Sequence, residues 1–311
     1  MNFVQAFNQF PYFLTEGSII ERLRRESQFP LDPHIANAGF IYETKRSAVL
    51  TDLYRQYLAI GMEFNLPMMI FSPTWRANPV RLLRSGLEDI DVNGDAVRHL
   101  INIRESYGEY AQKIFIGGLM GCEGDAYRTD EPLGRDEAAQ FHLAQTNALA
   151  SAGVDFLIAS TLPAYTEAVG IANAMALTGM PYILSFIIRS SGVLLDGTPL
   201  TTVIQEIDRS VAPKPLGYMI NCVHPVVMMK ALEHTDTIPE QSRKRILGLQ
   251  ANTSSKRPED LDESEFLDTA DPLIFAEEIN VLRKNYGFKI FGGCCGTNQR
   301  HIRAIAEMLV R

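Results

Sequence analysis

The sequence predicts an α/β fold of one closed (β/α)8 barrel, and three observations carry that prediction. Eight short apolar runs recur along 311 residues, each followed by a turn and then by helical periodicity. The runs are continuous rather than alternating, the mark of parallel strands covered on both faces. No Gly-x-Gly-x-x-Gly follows the first run, and the piece Gly117-Gly118-Leu119-Met120-Gly121 has the wrong spacing for a dinucleotide fingerprint. An open doubly wound sheet gives the same local alternation; the strand count, the length and the missing fingerprint select the barrel.

The predicted strands are, in order, Tyr12–Thr15, Met68–Ser72, Lys113–Gly117, Asp155–Ala159, Tyr182–Ile188, Gly217–Asn221, Ile246–Ala251 and Lys289–Gly292. Between them, apolar residues at i, i+3, i+4 and i+7 predict amphipathic helices over Ala48–Gly61, Ala96–Tyr110, Arg135–Ala152, Thr166–Gly179 and Pro272–Tyr286. In the last, Phe275, Ile279 and Leu282 form one stripe while Glu277, Glu278 and Arg283 point to water. Residues 1–311 thus read as a single barrel domain. An excursion near 26–45, between the first two strands, is a candidate homo-oligomer contact. The loosest segments are 236–245 and the polar stretch 252–265; the latter follows the seventh strand and so falls on the face where barrel active sites lie.

A formal charge of −8 and the lack of a basic block exclude a nucleic-acid partner. The longest apolar run, near Pro181–Ile188, is far short of a membrane span. The N-terminus lacks the basic region and cleavage site of a signal peptide. Four cysteines, one of them isolated, make no disulfide framework, so the expected setting is a reducing cytoplasm.

Chemistry concentrates in two stretches. Cys222 ends the sixth predicted strand in Asn221-Cys222-Val223-His224-Pro225, and Cys294 and Cys295 lie just past the eighth in Gly292-Gly293-Cys294-Cys295-Gly296-Thr297. In a barrel the C-terminal ends of strands six and eight are next-nearest neighbours on one rim, so the three sulfurs converge. Neighbouring side chains on a strand point to opposite faces. Two adjacent cysteines therefore share a metal only where the backbone turns sharply, which the flanking glycines permit. Three thiolates with an open fourth position make a catalytic rather than a structural zinc site. Cys122 reads as a small buried hydrophobe. His224 reads as a loop residue, with a fourth-ligand role as the alternative.

These motifs resemble the homocysteine S-methyltransferase family over nearly the whole chain, through Asn221-Cys222 and Gly292-Gly293-Cys294-Cys295-Gly296-Thr297. Asn252 resembles the asparagine of the family's Pro-Asn loop, with Ala251 in place of proline, and Thr166-Glu167-Ala168, Ser185-Phe186 and Asp196-Gly197-Thr198 match weaker signals. The resemblance implies a (β/α)8 barrel, zinc on Cys222, Cys294 and Cys295, and substrate contacts from Asn221 and Asn252. The chain departs from the pattern in the loop after the third strand, which reads Gly118-Leu119-Met120-Gly121 without the usual Gly-Pro, and at two further places. Glu16-Gly17-Ser18 replaces the usual Asp-Gly-Gly or Asp-Gly-Ala; there Gly17 and Ser18 are candidates to offer N–H groups to a substrate carboxylate. Ala159-Ser160-Thr161 replaces the strand-four glutamate that holds the amino group of homocysteine, leaving the Ser160 hydroxyl in its place.

The expected activity is methyl transfer from a cationic S-methyl or N-methyl donor to the thiol of homocysteine, giving methionine. The partners are then a small-molecule thiol acceptor and a methyl donor. Trp75, the only tryptophan, is a candidate aromatic face for the cationic donor, with Tyr127, Tyr165 and Asp125 behind it. The alternatives are another small thiol or selenol acceptor, which the missing glutamate favours, and a non-catalytic zinc-binding barrel with a decayed substrate site. Zinc-assisted hydrolysis is disfavoured, because three thiolates make metal-bound water a poor acid and hydrolases use His or carboxylate ligands.

Overall fold

A computed structural model describes residues 1–129, 132–257, 260 and 268–311. Eight parallel strands close in sequence order. They are β1 (Phe13–Thr15), β2 (Met68–Phe71), β3 (Ile114–Met120), β4 (Phe156–Leu162), β5 (Tyr182–Phe186), β6 (Gly217–Val223), β7 (Ile246–Ala251) and β8 (Ile290–Gly293). β8 returns to β1 through the Phe13–Ile290 and Leu14–Phe291 pairs. The chain is the (β/α)8 barrel that the apolar runs predict.

Both faces of the strands are buried, which is why the runs read as continuous. Leu14, Ile70, Leu157, Leu184, Ile220, Leu249 and Phe291 pack outward against the helical layer. Phe13, Met69, Phe115, Phe156, Ile183, Met219 and Ile290 fill the interior with Phe3 and Ala6. The last two belong to the helix Phe3–Gln9, opened by a capping box between Asn2 and Gln5. Phe3 stacks on Phe156 with ring centroids 4.2 Å apart and touches the rings of Phe13 and Phe115. These aromatics sit where their strands begin, so the helix plugs the N-terminal mouth. The functional end is the opposite one.

Four strands end later than the sequence predicts: β6 at Val223 and β8 at Gly293 by a residue or two, β3 and β4 by more. β3 continues to Met120 because Gly117 does not turn the chain: a side chain there would collide with Phe156 and Phe71, so glycine makes room for the aromatic interior. β4 continues to Leu162 through a register shift against β5, with Thr161 in the left-handed region at φ +61°. The helix Pro272–Tyr286 has the predicted bounds, with the Asp271 side chain capping Leu273 and Ile274 and Gly287 closing its end at φ +68°. Among the described residues, no helix is long and apolar enough to cross a membrane.

The excursion between β1 and β2 has its own internal order. Asp32 and Ala36 form a bridge, Arg46 lies over the rings of Phe29 and Phe40, and a 3-10 turn spans Ala38–Tyr42. Its inner side, including Phe29, Leu31, Pro33 and Asn37, forms one wall of the large cavity at the C-terminal mouth. Of the polar stretch 252–265, residues 258, 259 and 261–265 lie outside the described residues.

Replacing Phe3 with alanine should destabilise the chain by about 3–5 kcal/mol, the cost of emptying a buried aromatic site. Urea unfolding measures it. A change below about 1 kcal/mol would show that the helix is no plug.

Candidate metal centre

The sulfurs of Cys222, Cys294 and Cys295 all lie within 4.8 Å of one another. With bonds of about 2.3 Å, the sulfurs of a tetrahedral zinc thiolate stand roughly 3.8 Å apart. The cluster is therefore within about an ångström of closing on a metal. Three soft donors, with no fourth among the described residues, fit a thiophilic ion with one free position.

Local backbone geometry produces the cluster. The β6–β7 register slips between Asn221 and Val223, and Cys222, at the slip, takes φ +57°. This non-glycine left-handed residue is an uncommon conformation that its surroundings must enforce. Past β8 the Cys294 N–H donates to Ala251 O at 2.8 Å, and the Thr297 hydroxyl donates to Cys294 O at 2.6 Å. Gly296 follows at φ +82°, with the Thr253 hydroxyl where a side chain would stand. The adjacent cysteines thus sit in a tight turn, as their spacing requires.

Asn252 ties the two halves together. Its side-chain amide N–H donates to Cys222 O at 2.9 Å, and its carbonyl oxygen accepts the Cys295 N–H at 3.1 Å. Asn221 braces the neighbouring strands. Its carbonyl oxygen accepts from Thr161 N and from the Ser185 hydroxyl, while its N–H group donates to Thr161 Oγ1 at 2.7 Å. One amide thereby holds β4, β5 and β6 in register at the rim.

Three sulfurs this close cannot all ionise without a cation. Thiol hydrogen bonds from Cys294 and Cys295 push Cys222 well below the ordinary thiol range, helped by Asn221 and by the Tyr127 hydroxyl 4.0 Å away. The same contacts with Cys222 hold Cys294 and Cys295 as thiols, well above that range. Glu21, on the helix Ile20–Glu26, accepts the Gly296 N–H; burial and the nearby Cys295 sulfur raise its carboxyl.

The cavity above the sulfurs has a volume of about 740 Å³. Glu16, Gly17, Ser18, Trp75, Ser160, Thr161, Asn221 and Asn252 all line it. Their chemistry differs from what their order suggests. The Ser18 N–H already donates to Thr297 Oγ1 at 3.1 Å, which leaves Gly17 and the first turn of the following helix to meet a carboxylate. Glu16 accepts the Phe71 N–H at 2.9 Å, and burial raises its carboxyl well above the usual range. The Ser160 hydroxyl is buried with no hydrogen-bond partner among the described residues. Trp75 donates its indole N–H to Ser160 O at 3.1 Å, and the Arg76 guanidinium already lies over its ring.

Tyr127 and Asp125 line the cavity, whereas Tyr165 starts a helix outside that lining. His224 is the N-cap of the helix Pro225–Glu233, accepting the Val226 N–H, and stands apart from the sulfurs. Cys122 is buried away from the triad, where burial pushes its thiol up to about 12. Sequence reasoning missed Glu21, Arg24, Arg76 and the wall at Phe29–Asn37. The motif around the cysteines does not contain them, and only closure of the barrel brings them to the rim.

A family model described as homocysteine S-methyltransferase matches residues 13–309. Homocysteine S-methyltransferase of Escherichia coli (strain K12) is 28% identical over 176 residues, covering 52% of this chain and 56% of that protein. Homocysteine S-methyltransferase YbgG of Bacillus subtilis (strain 168) is 28% identical over 197 residues, covering 61% and 58%. The chain spans a little over half the length of these relatives. The crystal structure of the homocysteine methyltransferase MmuM from Escherichia coli, in its metallated form, superposes with a TM-score of 0.76 over 97% of this chain and 98% of that one. At 20% identity that likeness establishes the fold.

Asn252→Ala should lower metal affinity about 10- to 100-fold, as loss of a partner that orients ligands does. Competition with a chromophoric chelator reads it, with circular dichroism unchanged; full affinity would refute the clamp. Glu16 gives a pH signature. Its raised carboxyl favours the neutral form in the folded chain, so its contribution to stability is complete at low pH and is lost as pH rises toward the raised value. Glu16→Gln should therefore melt above the wild type at pH 8 and level with it near pH 4, below the ordinary carboxyl value. A constant gap across that range would contradict burial as the cause.

Proposed function

The chain belongs to the homocysteine S-methyltransferase family, and from that premise we propose that it transfers a methyl group from a cationic donor to the thiol of homocysteine, forming methionine, with zinc on Cys222, Cys294 and Cys295. The observation that carries this reading is the convergence of the three sulfurs at the floor of the cavity. Thiolate donors favour zinc over magnesium, calcium or manganese. Zinc in that position supplies one thing: it keeps the acceptor sulfur ionised at neutral pH, where a free thiol with a pKa near 8.5 is mostly protonated.

The chain's residues do the rest. Asn252 and the turn at Gly296 fix the ligand sulfurs before substrate arrives. The partnerless Ser160 hydroxyl offers a hydrogen bond to the acceptor's amino group, and the Gly17 backbone faces its carboxylate. The excursion wall closes one side of the cavity. Held in line, the acceptor sulfur forms a bond to the donor's methyl carbon while the carbon's bond to the donor sulfonium or ammonium breaks. The electron pair stays with the leaving atom, which departs as a neutral thioether or amine. Positioning supplies most of the rate, because effective concentrations of roughly 10⁵ M and above follow from alignment alone.

Ser160 also supports a second reading, in which the acceptor is another small thiol or selenol. A hydroxyl contributes no charge toward an ammonium, so discrimination for an amino acid is weaker than with a carboxylate.

Zinc-loaded protein should form methionine from L-homocysteine with S-methylmethionine, S-adenosylmethionine or betaine as the methyl source. Cys295→Ser should lower that rate by at least the roughly 100-fold that loss of a lesser metal partner costs. Chromatography of the product reads both. Zinc binding with no methionine from any of the three donors would leave the second reading or a non-catalytic barrel.

A further inference from the structure

We propose that Arg76, stacked on Trp75 in the cavity wall, forms a carboxylate-binding subsite for a substrate of this chain. The proposal rests on the methyl-transfer reading for the word substrate, and on geometry for the subsite itself. The Arg76 guanidinium carbon stands 4.8 Å from the centroid of the Trp75 ring. The ring cannot drift, because its N–H is tied to Ser160 O and it rests against Gly121, where any side chain would strike the indole. Arg76 is therefore held rigidly by a fixed aromatic plate, beside the same strand end that carries the partnerless Ser160 hydroxyl.

The charges around it are unequal. Four carboxylates line the cavity, and each already meets donors of the chain. Glu16 accepts from Phe71 N, Glu21 from Gly296 N, Asp125 from Tyr127 N, and Asp32 from His34 N, Ile35 N and the Ser85 hydroxyl. Arg25 is paired with Glu21, and Arg81 donates to the backbone oxygens of Glu123, Gly124 and His34. Arg76 has no hydrogen bond or ion pair with any described residue; it stacks on the indole face, within electrostatic range of Arg81 and the Cys122 thiol. Arg24, on the helix Ile20–Glu26, lines the same cavity, also with no hydrogen bond or ion pair to a described residue, but it is exposed and stacks on no described ring. A half-buried guanidinium with its N–H groups unclaimed is a planar fork for a carboxylate, and stacking pre-orders it. The cation over the indole also opposes docking of a sulfonium or quaternary ammonium on that face. Trp75 is thus a platform for Arg76 rather than a cage for the donor's charge.

The carboxylate can come from the acceptor or from the donor, and paired ligands separate the two. Trp75 is the only tryptophan, so its fluorescence reports binding at the subsite without turnover. Zinc-loaded protein is titrated with L-methionine and with 3-(methylthio)propylamine, which lacks only the carboxylate. A second pair is 3-(dimethylsulfonio)propionate and trimethylsulfonium. In the wild type, the carboxylated member of one pair should bind about 10- to 100-fold more tightly, the range of a charge-assisted hydrogen-bonded pair. Arg76→Gln should collapse that preference to near unity, and Arg76→Lys should restore part of it. Preference in the first pair assigns the subsite to the acceptor; preference in the second assigns it to the donor. Absence of preference in both wild-type pairs overturns the proposal, as does an undiminished preference in Arg76→Gln. Loss of methionine formation with the carboxylate preference intact would strike the methyl-transfer reading and leave the subsite standing.

Discussion

The carboxamide of Asn252 is the interaction on which the rest of the rim depends. Cys222 and the Cys294–Cys295 pair come from strands that do not touch, with β7 between them. The residue following β7 is Asn252, and its two polar atoms reach the backbone on either side, Cys222 O and Cys295 N. Neither of those groups has a strand partner there, because the register slips at Cys222 and the chain turns after β8. One buried side chain thereby satisfies a donor and an acceptor that would otherwise be orphaned, and in doing so sets the spacing of the sulfurs.

The left-handed residues follow from the same constraint. Thr161 on β4 is held by Asn221 of β6, and Cys222 on β6 by Asn252 past β7, so each bend is held by hydrogen bonds from outside its own strand. Strained backbone of this kind persists only where the surroundings over-determine it. Here it turns Cys222 and Ser160 toward the cavity that the excursion wall completes. Electrostatics then divides the cavity. Its floor holds three sulfurs of which one ionises readily and two do not, while the wall carries Arg24 and Arg76, which have no ion pair among the described residues.

The barrel was legible because parallel strands buried on both faces leave continuous apolar runs, and all eight runs are strands. The triad was legible because adjacent cysteines between glycines have few structural uses. Strand ends were less so. The third predicted strand stops at Gly117, and only the interior rings of Phe71 and Phe156 explain why that glycine lies inside a longer β3. The helix Phe3–Gln9 carried a readable signal, a capping box followed by phenylalanines at helical spacing, yet it is too short to stand out against the longer amphipathic stretches. Arg76 was not legible as a site residue. A lone arginine beside a tryptophan gains meaning only when the described carboxylates lining the cavity are each seen to meet donors elsewhere. The Ser18 N–H shows the reverse: a plausible donor in the sequence, spent on Thr297 in the fold.

The central claim is that the three sulfurs form one metal site open to a substrate thiol. X-ray absorption at the zinc edge, on protein loaded with zinc, tests it most directly. The account requires one zinc per chain with three sulfur neighbours near about 2.3 Å, and a fourth sulfur when L-homocysteine is added. Fewer than three sulfurs, or a coordination that homocysteine leaves unchanged, would contradict it.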